Sequence, residues 1–330
     1  MIVNGAVMAD AGELKNINTS VIRHTLKAKG TMSKNALARE TGLSFPTISR
    51  AVDSLLSAGE LLEKGVGTST GGRCAQLYAI NPLYRVIMSL YLEAEELHWF
   101  VSDLSGKNVE QGNEFCAAEI LKTIDTLIWR IQARYPQLGA ITMGLAANVC
   151  GGIIQKSFGY SELWGVNLST YLNNISGLPC AVEGDMQIVS TGFWARCSPP
   201  KRAVVCIYLG KMGIGGGVVI DGHAWHGTSA FAGELHYLPI EHNLEYAKTH
   251  FKDVDIVDYY ARILGSYIAI LNPDRMILYS NDLIAGKIDE IRKESVKNFP
   301  PHTVPQIEIS YEFEEDYKRG LFVFGNRLLD

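Results

Sequence analysis

The sequence of 330 residues lacks several features that define whole classes of protein. No run approaches the roughly 18 apolar residues that span a bilayer, and the first twelve residues have neither the basic start nor the apolar stretch of a signal peptide. The six cysteines are scattered and form no Cys-x-x-Cys or Cys-x-Cys pair, which is typical of free thiols in a reducing compartment. These absences predict a cytoplasmic protein with no membrane partner.

Basic residues are in excess only near the start of the chain. Residues 1–80 carry nine Lys and Arg against six Asp and Glu, whereas the remaining 250 carry 21 against 29. A mildly basic head on an acidic body is typical of a DNA-binding module joined to a domain that does not touch DNA. Because the residue before a proline is pushed towards extended conformations, we place the boundary at Asn81-Pro82 and predict domains over 1–82 and 83–330.

The segment from residue 33 to residue 59 has the pattern of two short helices joined by a tight turn. Ser33 and Ser44 can each cap a helix, and Gly42 suits the left-handed position that ends the first one. The second helix has a short, polar outer face, as a recognition helix needs where its backbone approaches the floor of a major groove. The predicted DNA-contacting residues on it are Ser44, Pro46, Thr47, Ser49 and Arg50.

The opposite side of that second helix, and a preceding helix over residues 14–29, supply the predicted core of the head. Their apolar residues recur at helical spacing. The predicted core residues are Phe45, Ile48, Val52, Leu55 and Leu56 on the second helix and Ile17, Val21, Ile22 and Leu26 on the preceding one.

Two predicted strands, over residues 61–64 and 75–80, flank a stretch of glycine, threonine and arginine and form a wing. The predicted contacts at its tip are Thr70, Gly71, Gly72 and Arg73, which offer a hydroxyl, backbone N–H groups and a guanidinium to phosphates or a minor groove. Any small three-helix unit with a hairpin shares parts of this pattern. The order of helix, turn, helix and wing favours DNA binding.

The rest of the chain alternates strands and helices in a pattern that recurs twice. This predicts an α/β body of two lobes with a cleft between them. A glycine-rich stretch at 209–217 joins two of the predicted strands. Its bare N–H groups suit a phosphate or another closely approaching ligand, although a plain tight hairpin explains it equally well.

Taken with Phe-Ala-Gly-Glu-Leu-His at 231–236 and Val-Glu-Gly-Asp at 182–185, this stretch resembles the ROK family of repressors, open reading frames and sugar kinases. The resemblance covers about residues 14–330, including the Ser-Thr-Gly-Gly-Arg wing at 69–73. It implies a winged helix-turn-helix followed by an actin-like (ribonuclease H-like, sugar-kinase) two-lobed ATPase-type fold.

The same resemblance implies a sugar site. Asp185 lies at the position of the family's catalytic base, Glu234 and His236 lie at sugar-contacting positions, and Glu245 lies in a Leu-Glu segment like one that holds sugar hydroxyls. Asn148 stands where the family usually has proline and is expected to line the cleft. Carboxylates suit this task because each accepts hydrogen bonds from two hydroxyls. An inherited pocket that no longer binds anything is the alternative.

The departures from the family pattern argue against an enzyme. The kinases' glycine-rich phosphate loop is replaced at 90–96 by a stretch with three carboxylates and no glycine, and carboxylates repel phosphate. The adenosine-side Gly-Gly reads Tyr279-Ser280-Asn281, and the asparagine expected beside Asp185 is Gly184. We therefore expect no kinase activity and no cofactor.

A metal is not expected either. Family members commonly hold zinc with a histidine and a cysteine cluster, but no cysteine follows Cys206 and only nine positions separate His236 from Glu245. His236 and His242 with two acids lack a thiolate to anchor such a site. His236 is then either a partner of sugar hydroxyls or a structural histidine with its hydrogen bonds satisfied inside the protein.

Together these features predict a sugar-responsive DNA-binding regulator, a repressor of carbohydrate-utilisation genes that a sugar or sugar derivative releases. It would bind double-stranded operator DNA as a homodimer or tetramer, because such heads usually read two half-sites about one DNA turn apart. The alternatives are an ATP-dependent sugar kinase with an accessory DNA-binding head, and a DNA-binding regulator whose pocket is vestigial.

Overall fold

A computed structural model describes residues 11–67, 75–93, 95–116, 119–157, 159–210, 213–240 and 254–329. The chain divides into two compact units. The first runs to Val86 and includes Asp103–Ser105, and the second contains Ile87–Ser102 and Gly106–Leu329. No helix of the described residues is long and apolar enough to cross a membrane.

The first unit contains three helices, α1 (Ala11–Lys29), α2 (Lys34–Thr41) and α3 (Phe45–Ser57). The Ser33 hydroxyl accepts the backbone N–H of Ala36 at 3.2 Å, which begins α2. Gly42 ends α2 with a φ of 71° and donates its N–H to the carbonyl of Ala38. The predicted helices, turn and caps are therefore present.

A three-stranded sheet completes this unit, with β1 (Met32–Ser33), β2 (Leu61–Val66) and β3 (Gln76–Ile80) in the order β1-β3-β2. The pairing of β2 with β3 is antiparallel, as predicted for the stem of a wing, and aligns Leu61 with Ile80. The predicted tip contacts Thr70, Gly71, Gly72 and Arg73 lie outside the described residues.

The core of the first unit differs in part from the prediction. Ile22, Leu26, Ile48, Val52 and Leu55 are buried as expected and Leu56 is half-buried, but Ile17, Val21 and Phe45 are exposed. The buried side of α1 runs through Thr19, Ile22 and Leu26, at spacings of three and four residues, so Ile17 and Val21 lie on a different side of the helix. Phe45 is the first residue of α3, and the buried residues of this helix begin only at Ile48.

The first lobe of the second unit is a five-stranded sheet in the order β10-β7-β4-β5-β6. Two helices, α4 and α5, and a small hairpin of β8 and β9 accompany it. The strand β6 was not predicted, since its polar sequence lacks an apolar period, and it forms one edge of the sheet. The elements are β4 (Val86–Glu93), β5 (Glu96–Asp103), β6 (Asn108–Phe115), α4 (Ile120–Arg134), β7 (Leu138–Leu145), β8 (Ala147–Cys150), β9 (Ile153–Ser157), α5 (Leu168–Ser176) and β10 (Cys180–Gly184).

The second lobe is another five-stranded sheet, in the order β13-β12-β11-β14-β15, with apolar helices packed on it. Two similar mixed sheets agree with the predicted two-lobed α/β body. The elements are α6 (Asp185–Ala195), β11 (Ala203–Gly210), β12 (Gly213–Ile220), β13 (His223–Ala224), α7 (Ile256–Leu271), β14 (Arg275–Tyr279), α8 (Ile288–Val296), β15 (Gln306–Ser310) and α9 (Phe313–Arg327).

Helices α6 and α9 cross at van der Waals distance. A methyl group added at Gly192 would collide with the carbonyl of Asp316, and one added at Gly320 would collide with that of Ile188. The buried carboxylate of Asp316 accepts two hydrogen bonds from Arg196, at 2.8 and 3.1 Å, and charge-assisted pairs of this kind are the strong ones. This crossing holds α6, whose first residue is Asp185.

Candidate functional site

The outer face of α3 carries the described part of the predicted DNA contacts. Ser44 caps the helix, and its hydroxyl lies 2.9 Å from that of Thr47. Pro46 and Arg50 are exposed, and the Arg50 Nε donates to the carbonyl of Pro46 at 3.3 Å. The structure thus brings Ser44, Pro46, Thr47 and Arg50 together at the start of one helix.

Ser49 lies in a small polar network with two side chains that the sequence did not single out as a group. The Lys34 Nζ lies 3.0 Å from the Ser49 hydroxyl and 2.6 Å from a carboxylate oxygen of Asp53. The hydrogen bond from Lys34 lowers the pKa of Asp53, whose carboxylate therefore stays ionised on the outer face of α3. Lys34 offsets that negative charge on a face proposed to meet phosphates.

The predicted sugar residue Asp185 begins α6 directly after β10. Because β10 pairs in parallel with β7, Gly184 lies beside Leu145 at the carboxyl ends of both strands. Asp185 accepts the backbone N–H of Met186 at 2.7 Å. Burial raises the pKa of Asp185 to about 6, and the nearby charge of Glu234 acts in the same direction. The fold therefore brings together two carboxylates that are 49 positions apart.

The glycine-rich strand β12 positions Glu234. Gly233 has a φ of 98°, and a side chain there would collide with the carbonyl oxygen of Gly216. The Gly216 N–H donates to the Gly233 carbonyl at 2.9 Å. Beyond it, His236 Nδ1 lies 3.5 Å from a carboxylate oxygen of Glu234. Gly216 and Gly233 thus allow the two backbone segments to pack closely beside Glu234.

The loop that precedes Glu234 is fastened to the first lobe and to α6. The Asn148 side-chain amide donates to the Ala230 carbonyl at 2.6 Å, and that of Gln187 donates to the Ala232 carbonyl at 3.4 Å. The predicted cleft residue Asn148 is therefore also a loop anchor.

A third contact was missed from the sequence. His226 Nε2 lies 2.8 Å from a carboxylate oxygen of Glu183, and this hydrogen bond raises the pKa of the histidine. Glu183 was part of the motif that marked Asp185, but nothing local marked His226 as its partner. The pair connects the loop to β10, next to Asp185.

Aromatic and acidic side chains occupy the first hairpin, β4 and β5, where the family resemblance places the phosphate loop. Tyr91 and His98 stack at 4.7 Å, and the Tyr91 ring lies 5.3 Å from that of Tyr317. Burial raises the pKa of Tyr91 to about 12, with added effect from the charges of Glu314 and Glu93. The described side chains around this hairpin include aromatic rings and carboxylates, and carboxylates repel phosphate.

Metal ligands do not cluster in the described part of the chain. No group of three or more His, Cys, Asp and Glu side chains there is arranged to hold an ion. His242 and the predicted sugar contact Glu245 lie outside the described residues.

Part of this chain is similar to a known protein family. Residues 101–248 match the sequence profile of the ROK family. The xylose repressor of Caldicellulosiruptor bescii is 26% identical over 246 residues, which cover 69% of this chain and 59% of the repressor. The chain thus spans about three fifths of the length of that curated relative.

Solved structures show the fold. A ROK family transcriptional regulator, a homologue of the E. coli MLC protein, superposes with a TM-score of 0.68 at 16% identity and covers 96% of this chain and 100% of its own. The ROK hexokinase of Thermus thermophilus gives a TM-score of 0.55 at 14% identity, covering 72% and 97%. The actin-like fold inferred from the sequence is therefore confirmed.

Proposed function

We propose that this chain, which carries a ROK family domain, is a sugar-responsive DNA-binding repressor of carbohydrate-utilisation genes. One observation supports the proposal: α2 and α3 form a helix-turn-helix with a polar outer face, and in the second unit Glu234 lies near both Asp185 and His236. The name of the xylose repressor, a relative over 69% of the chain, supports the same interpretation.

In this proposal α3 enters the major groove of double-stranded operator DNA. Arg50 is its charged contact, and Ser44, Thr47 and Ser49 are its hydroxyl contacts, with Pro46 allowing close approach. Thr70, Gly71, Gly72 and Arg73 remain the proposed wing contacts. A homodimer would present two heads to two half-sites about one helical turn apart. The protein would act in the cytoplasm, where the operator is.

The proposed effector is a sugar or sugar derivative held by hydrogen bonds. Asp185 and Glu234 each accept from hydroxyl groups, and His236 adds a ring nitrogen that can donate or accept. Asn148 and Glu245 are further proposed contacts, the first through its side-chain oxygen, since its nitrogen is bonded to Ala230. Several directed acceptors in one place favour a polyol over an apolar ligand.

The repressor would respond only if the sugar distinguishes two states. The ligand must bind the DNA-incompetent state more tightly than the DNA-competent one, because a ligand with equal affinity for both states does not change the equilibrium between them. Sugar bound between the lobes would favour their closure, and this would change how well two heads match two half-sites.

A sugar kinase is the second candidate, since the solved ROK hexokinase shares the fold. Phosphoryl transfer depends on donors that cradle the phosphates and offset their charge. The described hairpin β4–β5 instead carries Glu93 and Glu96 beside the stacked Tyr91 and His98. We propose that the chain is not an enzyme. Steady turnover of ATP with any member of a hexose and pentose panel would show the kinase alternative to be right.

The test of the main proposal is binding of the purified chain to the DNA upstream of its own gene, titrated with sugars and sugar phosphates at one salt concentration. We expect specific binding that one sugar weakens. Specific binding that no sugar alters would support the vestigial pocket. Absence of specific binding would overturn the assignment of the first unit.

A further inference from the structure

Two large aromatic side chains lie exposed beside the candidate sugar site. Phe231 is 48% exposed and Tyr237 is 58% exposed, and their ring centroids are 4.9 Å apart at 49°. Single exposed apolar residues are ordinary, but a pair of rings in contact next to convergent polar groups is typical of a ligand site.

The ring pair is continuous with the polar groups. The Tyr237 ring lies 4.1 Å from the His236 ring, and His236 lies 3.5 Å from Glu234, whose charge acts on Asp185. A single row therefore runs from the half-buried carboxylate of Asp185 to the exposed rings. A ligand that binds at the carboxylates and extends outward would meet the rings next.

The backbone on both sides of Phe231 is anchored. Asn148 binds the carbonyl of Ala230, and Gln187 binds the carbonyl of Ala232. Ala230 also has a φ of 55°, a left-handed conformation that costs free energy for a residue with a side chain. Fixed contacts of this kind hold a recognition surface ready before a ligand arrives, which reduces the entropy cost of binding.

We propose that Phe231 and Tyr237 form a stacking platform for the second ring of a disaccharide or glycoside whose first ring binds at Asp185 and Glu234. The inference rests on the proposed sugar response and narrows its effector class. A sugar ring suits the platform because one of its faces is made of C–H groups, which pack on an aromatic ring, while its hydroxyls stay in water.

The test compares matched pairs of sugars by titration calorimetry on the full chain: D-xylose with xylobiose, D-glucose with cellobiose and D-glucose with maltose. We expect one disaccharide to bind more tightly than its monosaccharide. Phe231→Ala and Tyr237→Ala should each weaken that disaccharide by about tenfold, the scale of one aromatic contact, and change the monosaccharide less than twofold. Tyr237→Phe, which keeps the ring, should keep the disaccharide affinity.

Trp129→Ala is the matched control, since Trp129 is 57% exposed on α4 in the first lobe. It should leave both affinities unchanged. Equal loss of both sugars in the Phe231 and Tyr237 variants would overturn the platform, because the rings would then only support the polar site. Monosaccharide binding without any preference for a disaccharide would overturn it while leaving the proposed function intact. Binding of no sugar at all would overturn both.

Discussion

The ammonium group of Lys34 on α2 lies 2.6 Å from the carboxylate of Asp53 on α3. This pair joins the two helices of the helix-turn-helix and neutralises the acidic residue on the outer face of α3. The Asp53 side chain is exposed, so the pair contributes little to stability, about 0.2–1 kcal/mol. Its larger consequence is electrostatic, because an uncompensated carboxylate at this place would repel DNA phosphates.

Removing the compensating charge should therefore weaken operator binding. We expect Lys34→Met to raise the Kd for operator DNA severalfold, and Lys34→Met with Asp53→Asn to recover much of the loss. Fluorescence anisotropy at fixed salt measures both, and urea unfolding checks that stability changes by less than about 1 kcal/mol. A double variant as weak as the single one would mean that Lys34 itself contacts DNA.

Arg50 should contribute to operator binding directly. Arg50→Ala is expected to weaken binding by about 1–3 kcal/mol in free energy if the guanidinium reads a base, or to reduce the salt slope by about one if it contacts a phosphate. Arg202→Ala is the matched control, because it removes the same charge from an exposed position in the second unit. Equal effects of the two substitutions would show that only net charge matters.

Asp185 should oppose stability and support binding. The pKa of Asp185 is about 6 in the folded chain against an ordinary value of 3.8, so the folded state favours the protonated carboxyl. Ionisation of Asp185 therefore lowers the free energy of unfolding as the pH rises from about 4 to 6. Asp185→Asn should therefore be more stable than the wild type by on the order of 3 kcal/mol at pH 7, with the difference shrinking towards zero below pH 4. Urea unfolding at several pH values measures this.

The same substitution should abolish the sugar response, because the amide accepts fewer hydroxyl hydrogen bonds than the carboxylate. For the wild type, sugar affinity should rise with pH up to about 6 as Asp185 ionises. A variant that is less stable at pH 7, or that still responds to sugar, would contradict the role assigned to Asp185.

Gly233 should be intolerant of any side chain. Gly233→Ala combines a positive φ with a collision against the Gly216 carbonyl, so we expect a loss of several kcal/mol and of sugar binding. Gly286→Ala is the matched control, since Gly286 has a φ of 75° but open space around it. It should cost only about 1–2 kcal/mol and keep sugar binding. Equal losses of stability in the two variants would mean that the positive φ alone, and not the collision with the Gly216 carbonyl, determines the cost.

Local structure in the first unit followed from the sequence. Ser33, Gly42 and Ser44 act within one helical turn, so their capping roles can be read from neighbouring residues alone. Burial was harder to predict. Ile17 and Val21 are apolar yet exposed, because the side of α1 that packs runs through Thr19, Ile22 and Leu26, and Phe45 is exposed at the first position of α3.

The candidate sugar site could be described only from sequence motifs and tertiary contacts together. Motifs marked Asp185, Glu234 and His236 as separate short segments, but their distances depend on strands and loops that pair over long stretches of chain. The loop anchors Gln187 and His226 had no local signal, because their partners are a backbone carbonyl 45 positions away and a carboxylate 43 positions away.

The sequence by itself determined the order of modules, the helix caps and the chemical character of the site, since these depend on residue type and short-range spacing. Only the tertiary structure decided that burial, with a smaller effect from the charge of Glu234, raises the pKa of Asp185, and that the rings of Phe231 and Tyr237 lie in contact. Contacts between segments that are distant in the sequence arise when complete sheets and helices pack against one another. Such packing is a property of the complete fold rather than of any one segment.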